Sequence, residues 1–187
     1  MNQQESKYDV FIIEGIDRLG KDTLIKNIQN ELGYHFVIHY SKPEKLKYYN
    51  DSLQEYQLAS FENGFALIEN CGAGVYLNPL IFNRFHLGEC VYAPLYRGYD
   101  GKYVFQLEEN FEAWAWTHAK LILLTTSDFS IITDDGESFD FSKKEDEQEM
   151  FKAAFETSIL PNKVIIDVSN GKGGFKTPQE ILQEALA

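Results

Sequence analysis

Gly15 and Gly20, with four residues between them and followed at once by Lys21, form a spacing that suits one chemistry: holding phosphate. The loop Gly15-Ile16-Asp17-Arg18-Leu19-Gly20-Lys21-Asp22-Thr23 follows the apolar run Val10-Phe11-Ile12-Ile13 and leads into the amphipathic segment Leu24-Ile25-Lys26-Asn27-Ile28. A strand, a glycine-bounded loop and a helix in that order make a P-loop. Its backbone N–H groups point at anionic oxygens, the helix N-terminus adds positive potential, and the lysine adds a point charge. Gly15, Gly20, Lys21, Asp22 and Thr23 are thus the expected nucleotide-binding residues. One position departs from the motif. The hydroxyl residue that holds Mg²⁺ after the lysine is here Asp22.

Phosphoryl transfer depends on positioning and charge neutralisation more than on covalent chemistry. Arginine suits that task because its planar fork makes paired contacts to phosphate. The chain has three arginines, Arg18, Arg84 and Arg97. Arg18 lies inside the loop, where its side chain can reach the β- and γ-phosphates. An arginine finger supplied in cis is worth ~10³ or more in rate. Arg84 and Arg97 fall within one short mid-chain segment. Lys21, Arg18 and Arg84 are the candidate catalytic set.

The elements that must carry these residues alternate. Strands are predicted at Val10–Ile13, His35–Tyr40, Val75–Leu77 with Leu80–Phe82, Lys120–Thr125 and Lys163–Val168. Helices are predicted over Asp22–Leu32, Asp51–Asn70, Phe85–Leu95 and Leu107–His118. The last helix is marked by Thr177 as N-cap, Pro178 at the first position and Glu180 completing a capping box. Alternation of this kind gives an α/β protein, a five-stranded parallel sheet covered on both faces in a three-layer α/β/α sandwich. Residues 1–187 read as a single domain. The stretch 127–149 stands apart, with nine acidic residues against Lys143 and Lys144. It is either a solvated acidic loop or a mobile lid that excludes water from the reaction. It contains no arginine, so a finger has to come from Arg18.

Composition limits the partners. With 17 Lys and Arg against 29 Asp and Glu, the net charge is −12, which argues against broad nucleic-acid binding. No apolar run approaches the ~20 residues of a membrane span, and the N-terminal residues are too polar for a secretory signal. Cys71 and Cys90 lack metal-ligand spacing and suit a reducing compartment. The expectation is a cytoplasmic protein whose partners are small nucleotides, with neither nucleic acid nor membrane.

Two motifs resemble the thymidylate kinases. Glu14-Gly15-Ile16-Asp17-Arg18-Leu19-Gly20-Lys21 is similar to that family's P-loop, E-G-x-D-x-x-G-K-[ST]-T. Asn83-Arg84-Phe85-His86-Leu87-Gly88-Glu89-Cys90-Val91-Tyr92 is similar to its D-R-[YFH]-x-x-S-x-x-A-Y, with Arg84, Phe85 and Tyr92 in register. Ser41-Lys42-Pro43 stands where the family has T-R-E-P. The stretch from Arg84 through Tyr96-Arg97-Gly98 looks like divergent bacteriophage members. The resemblance implies the P-loop nucleotide kinase fold, ATP and Mg²⁺ as cofactors, and, by analogy, a homodimer. It implies transfer of phosphate to a deoxynucleoside monophosphate, dTMP or a related or modified pyrimidine. Asp17 would contact the acceptor's 3′-hydroxyl, and Arg84 would bridge the acceptor phosphate. Phe61 would either stack on the acceptor base or sit in the core. Lys42, Phe85, Tyr92 and Arg97 complete the expected substrate contacts.

The departures bear on mechanism. The family's motif aspartate is Asn83 here, and a carboxylate appears instead at Asp22. Either Asp22 takes over in the Mg²⁺ sphere or it repels the β-phosphate and weakens catalysis. No arginine lies between Arg18 and Arg84 to read a thymine edge. Lys42, Gln57, Asn63 or Arg97 reads it, or the base is not thymine. His86 either contacts the acceptor phosphate or packs beneath it, and Ser169 and Asn170 are candidate contacts to the donor base. Two other readings use the same loop. A deoxynucleoside kinase would need a carboxylate base, for which Glu14 is the candidate. A non-catalytic nucleotide-binding or DNA-modification accessory protein would bind without turnover.

Overall fold

A computed structural model describes residues 7–40, 52–74, 79–111, 113–134, 136 and 140–187. Five parallel strands make one sheet: β1 (Val10–Glu14), β2 (Phe36–His39), β3 (Leu80–Asn83), β4 (Ala119–Thr125) and β5 (Lys163–Asp167). Their order is β2-β3-β1-β4-β5. β1, β3 and β4 are buried along their whole length, which is why they read as unbroken apolar runs.

The helices follow from that order. They are α1 (Lys21–Leu32), α2 (Leu53–Gly72), α3 (Leu87–Tyr92), α4 (Tyr103–Asn110), α5 (Ala113–Trp116), α6 (Lys144–Thr157) and α7 (Pro178–Leu186). The β1–α1–β2 crossover runs toward the β2 edge, whereas the later crossovers run the other way. Right-handed connections then put α1 on one face and α2 to α6 on the other. The packing agrees: α1 lies against α7, α2 against α4 and α5, and α3 against α6. Chain direction across the sheet reverses beside β1, and the crevice at such a switch point is where α/β sheets bind ligands. The register brings Ile13 and His39 alongside Asn83. The carboxyl ends of β1, β2 and β3 therefore open at one level.

Several predicted elements shift. The third strand is Leu80–Asn83 alone, and Val75–Leu77 lies outside the described residues. The helix expected over Leu107–His118 is two helices, α4 and α5, because the chain turns extended at Phe111 (φ −97°, ψ 150°). The segment 127–149 is not one acidic loop. It holds 3₁₀ turns at Phe129–Ile131 and Phe141–Lys143, and its last six residues begin α6. The capping box of α7 forms as expected from Thr177 and Glu180. Among the described residues no helix is long and apolar enough to cross a membrane.

Candidate active site

The loop after β1 needs glycine at its first position for a steric reason. Gly15 has φ +130°, and a Cβ there would overlap the Leu124 carbonyl oxygen of β4. Gly20 turns left-handed at φ +83° to start α1. Between them Arg18 is also left-handed, at φ +72°. Its exposed side chain lies on the rim of a cavity of about 540 Å³, lined from the loop and α1 by Asp17, Arg18, Gly20, Lys21, Asp22 and Thr23. His39, Asn83 and Arg84 close the cavity from the ends of β2 and β3.

Lys21 is buried, and its Nζ donates to the carbonyls of Gly15 (2.8 Å) and Ile16 (2.7 Å). Burial, helped by the positive charge of Arg84, brings its pKa from 10.5 down to about 8. Arg84 is the second residue forced left-handed, with φ +62°. Its N–H donates to the Ile13 carbonyl (2.9 Å), and its guanidinium pairs with Asp17 Oδ1. Burial pulls Asp17 upward, but Lys21, Arg84 and Lys144 outweigh it and hold the carboxyl below its ordinary range. The site thus sets two cations, Lys21 and Arg84, around one ionised carboxylate.

Asp22 and Asn83 meet across the cavity. Asn83 Nδ2 donates to Asp22 Oδ1 (2.7 Å) and lies 3.0 Å from His39 Nδ1. Among the described residues, Asn83 Oδ1 is buried without a hydrogen-bond partner. Two of the residues at which the sequence departs from the thymidylate kinase pattern are therefore in direct contact.

Lys144 was hidden in the acidic stretch. It is buried, with Nζ 2.9 Å from Glu147 Oε2 and 3.9 Å from Asp17 Oδ2. Gln148 fixes this end of α6 to the end of β4, donating to the Thr126 carbonyl (2.9 Å) and accepting from its N–H (2.7 Å). A lysine at a helix start opposes the macrodipole. That oddity, at the head of three consecutive acidic residues, was the available sequence signal.

Other expected contacts are placed elsewhere. Phe61 and Phe85 are each 2% exposed. Phe61 stacks on Tyr40 (5.6 Å, 21°), and Phe85 packs edge-on against Phe61 and Phe65. Both rings sit in the core of the free protein, which for Phe61 is one of the two placements expected. Gln57 is likewise buried, whereas Asn63 is exposed. Arg97 pairs with the buried Glu89, which also accepts from Tyr99 (2.7 Å) and Tyr103 (3.0 Å). It lines a separate cavity with Ser52 and Tyr96 rather than the one at the loop. Tyr92 Oη is buried without a hydrogen-bond partner among the described residues, and burial followed by the nearby carboxylates of Asp17 and Glu147 pushes its pKa far up. His86 is held beneath the site by Glu108 (2.5 Å). Lys42 lies outside the described residues.

A second cavity, about 360 Å³, opens between α1 and α7 and shares Arg18, Gly20 and Thr23 with the first. Its walls include Leu19, Leu24, Ile181 and Phe175, which is 42% exposed. Asn170, a candidate base contact, spends its side chain inside the neighbouring turn, on Lys172 N (2.8 Å), Gly174 N (3.2 Å) and the Phe175 carbonyl (3.1 Å). Ser169 is tied to Ser127 (2.7 Å).

No protein-family model and no curated protein matches the chain. Solved structures do. The YorR protein of Bacillus subtilis, in complex with phosphorylated GDP, is similar with a TM-score of 0.62 and 19% identity, over 93% of this chain and 91% of that one. Deoxyadenosine kinase from M. mycoides, with products dCMP and dCDP bound, is similar with a TM-score of 0.54 and 16% identity, over 93% and 95%. Thymidylate kinase from Candida albicans is similar with a TM-score of 0.51 and 17% identity, over 96% and 90%. At these identities the likeness is one of fold: a five-stranded parallel sheet with helices on both faces, as in the P-loop kinases.

Proposed function

We propose that this protein transfers the γ-phosphoryl group of ATP to a deoxynucleoside monophosphate, dTMP or a related pyrimidine. The observation that carries the reading is the pairing of Lys21 and Arg84 around Asp17 in one cavity. A donor phosphate chain lies along the loop amides and Lys21, and Arg18 reaches over it from the rim. The acceptor phosphate replaces Asp17 as a partner of Arg84, which leaves Asp17 to accept a hydrogen bond from the acceptor sugar. Lys21, Arg18 and Arg84 then neutralise charge on the transferring group.

Donor base binding follows from the second cavity. Because it shares Arg18, Gly20 and Thr23 with the first, one nucleotide can span both, its phosphates on the loop and its base against Phe175. Stacking on an aromatic ring suits any base.

The residues present fit Mg²⁺. Mg²⁺ takes one or two protein oxygens and fills its remaining positions with phosphate and water. Asp22 supplies a carboxylate, and the unpartnered Asn83 Oδ1 supplies a second oxygen beside it. Among the described residues no group of three or more His, Cys, Asp and Glu side chains gathers to hold a metal, so a shared site is the kind this chain can offer. Asp22 and Asn83 would hold the ion, which would supply positive charge against the phosphates.

A nucleoside kinase is disfavoured by Glu14, its candidate base. Glu14 is fully buried, does not line the cavity and has one oxygen committed to backbone amides. The test is ADP release across a panel of canonical and modified monophosphates and the matching nucleosides. Turnover of pyrimidine deoxynucleoside monophosphates alone is expected. Turnover confined to nucleosides, or ATP binding with no turnover on any acceptor, rules the proposal out.

A further inference from the structure

Glu14 has no part in the chemistry above, yet it is a fully buried carboxylate beside the cavity, at 0% exposure. A buried carboxylate is costly unless hydrogen-bonded, so its partners show its purpose. Its Oε1 accepts from the backbone N–H of Phe85 (3.0 Å) and from that of Leu87 (3.0 Å). These amides directly follow Arg84, whose own N–H is held by the carbonyl of Ile13. The last two residues of β1 therefore hold three amides of the corner after β3. Within that corner His86 is anchored from the other side by Glu108, which also accepts from Ser158 (2.8 Å) and the Ile159 N–H (2.9 Å).

The corner needs holding. Arg84 is a non-glycine residue at φ +62°, a conformation that persists only where its surroundings enforce it. If it relaxed to the extended region, the side chain would leave from a different direction and the guanidinium would lose Asp17. We propose that Glu14 is a positioning residue that clamps the corner and thereby aims Arg84 at the acceptor phosphate. This rests on the proposed phosphotransfer and deepens it, because it gives acceptor affinity a second determinant that touches neither nucleotide. Oε1 makes the clamp, whereas Oε2 has no hydrogen-bond partner among the described residues. The role therefore needs a hydrogen-bond acceptor and not a charge.

The experiment compares Glu14→Gln with Glu14→Leu in the full chain, measuring dTMP binding, KM for dTMP and ATP binding separately. Gln keeps an oxygen for both amides, and its acceptor KM is expected to stay near that of the native protein. Leu releases the corner, and a displacement of this kind costs on the order of tenfold to 100-fold. That loss is expected to be larger in acceptor KM and affinity than in ATP affinity, where Leu removes only the Glu14 charge that acts on Lys21. Equal losses for donor and acceptor would mean a general structural role and overturn the proposal, as would Gln proving as harmful as Leu. Should the Leu variant not fold, Glu14→Asp keeps the charge but withdraws the oxygen by one methylene. The same split between acceptor and donor is then expected, and native behaviour of Asp refutes the clamp. A native protein that binds dTMP without phosphorylating it counts against the enzymatic reading alone. One that binds no monophosphate overturns both.

Discussion

Lys21 carries its charge at a cost in the free protein, and that cost makes nucleotide binding a proton-uptake event. Burial brings its pKa from 10.5 to about 8. At 1.36 kcal/mol per unit, the charged form is disfavoured by about 3 kcal/mol relative to the unfolded chain. The sign follows from linkage. A base depressed on folding binds fewer protons in the folded state between pH 8 and 10.5, so its contribution to stability rises across that window and is lost below pH 8. A bound triphosphate restores the charge. At pH 8, where about half of Lys21 is neutral in the free protein, ATP binding should take up about half a proton from solvent. Above pH 8 its Kd should climb toward tenfold per pH unit. Calorimetry at pH 8 in two buffers of different ionisation enthalpy reads the proton directly, because ATP has lost its last phosphate proton by that pH. Absence of uptake at pH 8, together with a Kd that stays flat from pH 7 to 9, would refute the reasoning.

Substitutions at four other positions probe the site and its surroundings. Asp22→Ser and Asn83→Asp, alone and combined, should each shift the Mg²⁺ dependence of turnover, with the double variant nearer to native than either single. An unchanged Mg²⁺ titration across all four proteins removes Asp22 and Asn83 from the metal sphere. Lys144→Met strands the buried Glu147 carboxylate with Tyr96 as its remaining hydrogen-bond partner, at a cost of about 3 kcal/mol in chemical denaturation. It should also lift the acid midpoint of Asp17, readable by NMR, because Lys144 helps hold that carboxyl down. Gly88→Ala and Gly88→Ser should both stabilise α3, since a Cβ there meets the Tyr92 ring at an ordinary 3.6 Å and glycine costs a helix about 1 kcal/mol against alanine. The Ser variant should gain at least as much as Ala, because that Cβ lies 3.8 Å from the unpartnered Glu14 Oε2 and a hydroxyl can reach it. Thermal melts in which Ala clearly exceeds Ser would show that Oε2 is satisfied by other means.

What could be read in the chain, and what could not, divides along a physical line. A phosphate loop needs glycine where the backbone turns or approaches another strand, and Gly15 against Leu124 shows the constraint operating within a few residues of the motif. Strands buried on both faces are apolar throughout, so β1 and β4 announce themselves. The long helix expected over Leu107–His118 failed because helical spacing can continue through an extended residue, here Phe111, that only tertiary packing reveals. Phe61 was ambiguous for a related reason. A phenylalanine facing inward from a helix has the same spacing whether it meets a base or other rings, and Tyr40 and Phe85 decide the matter.

Lys144 and Glu14 show why charge bookkeeping along the chain is a poor guide to a site. The stretch 127–149 is acidic in sum, yet one of its two lysines is 4% exposed and faces Asp17, which is 127 residues away in sequence. Net charge describes a solvated face, where each side chain contributes equally to the surrounding field. A buried lysine acts instead on the few groups within its reach, and at low dielectric that local action outweighs the acidic residues exposed around it. The same reasoning applies to the swap at positions 22 and 83. Judged by position, a carboxylate was lost from one motif and gained in another. In space Asp22 and Asn83 share a hydrogen bond, so the cavity carries its carboxylate within one side chain's reach of position 83. A departure from a family pattern at two sites is therefore a single event when the two sites touch, and its effect on metal binding has to be measured on the pair.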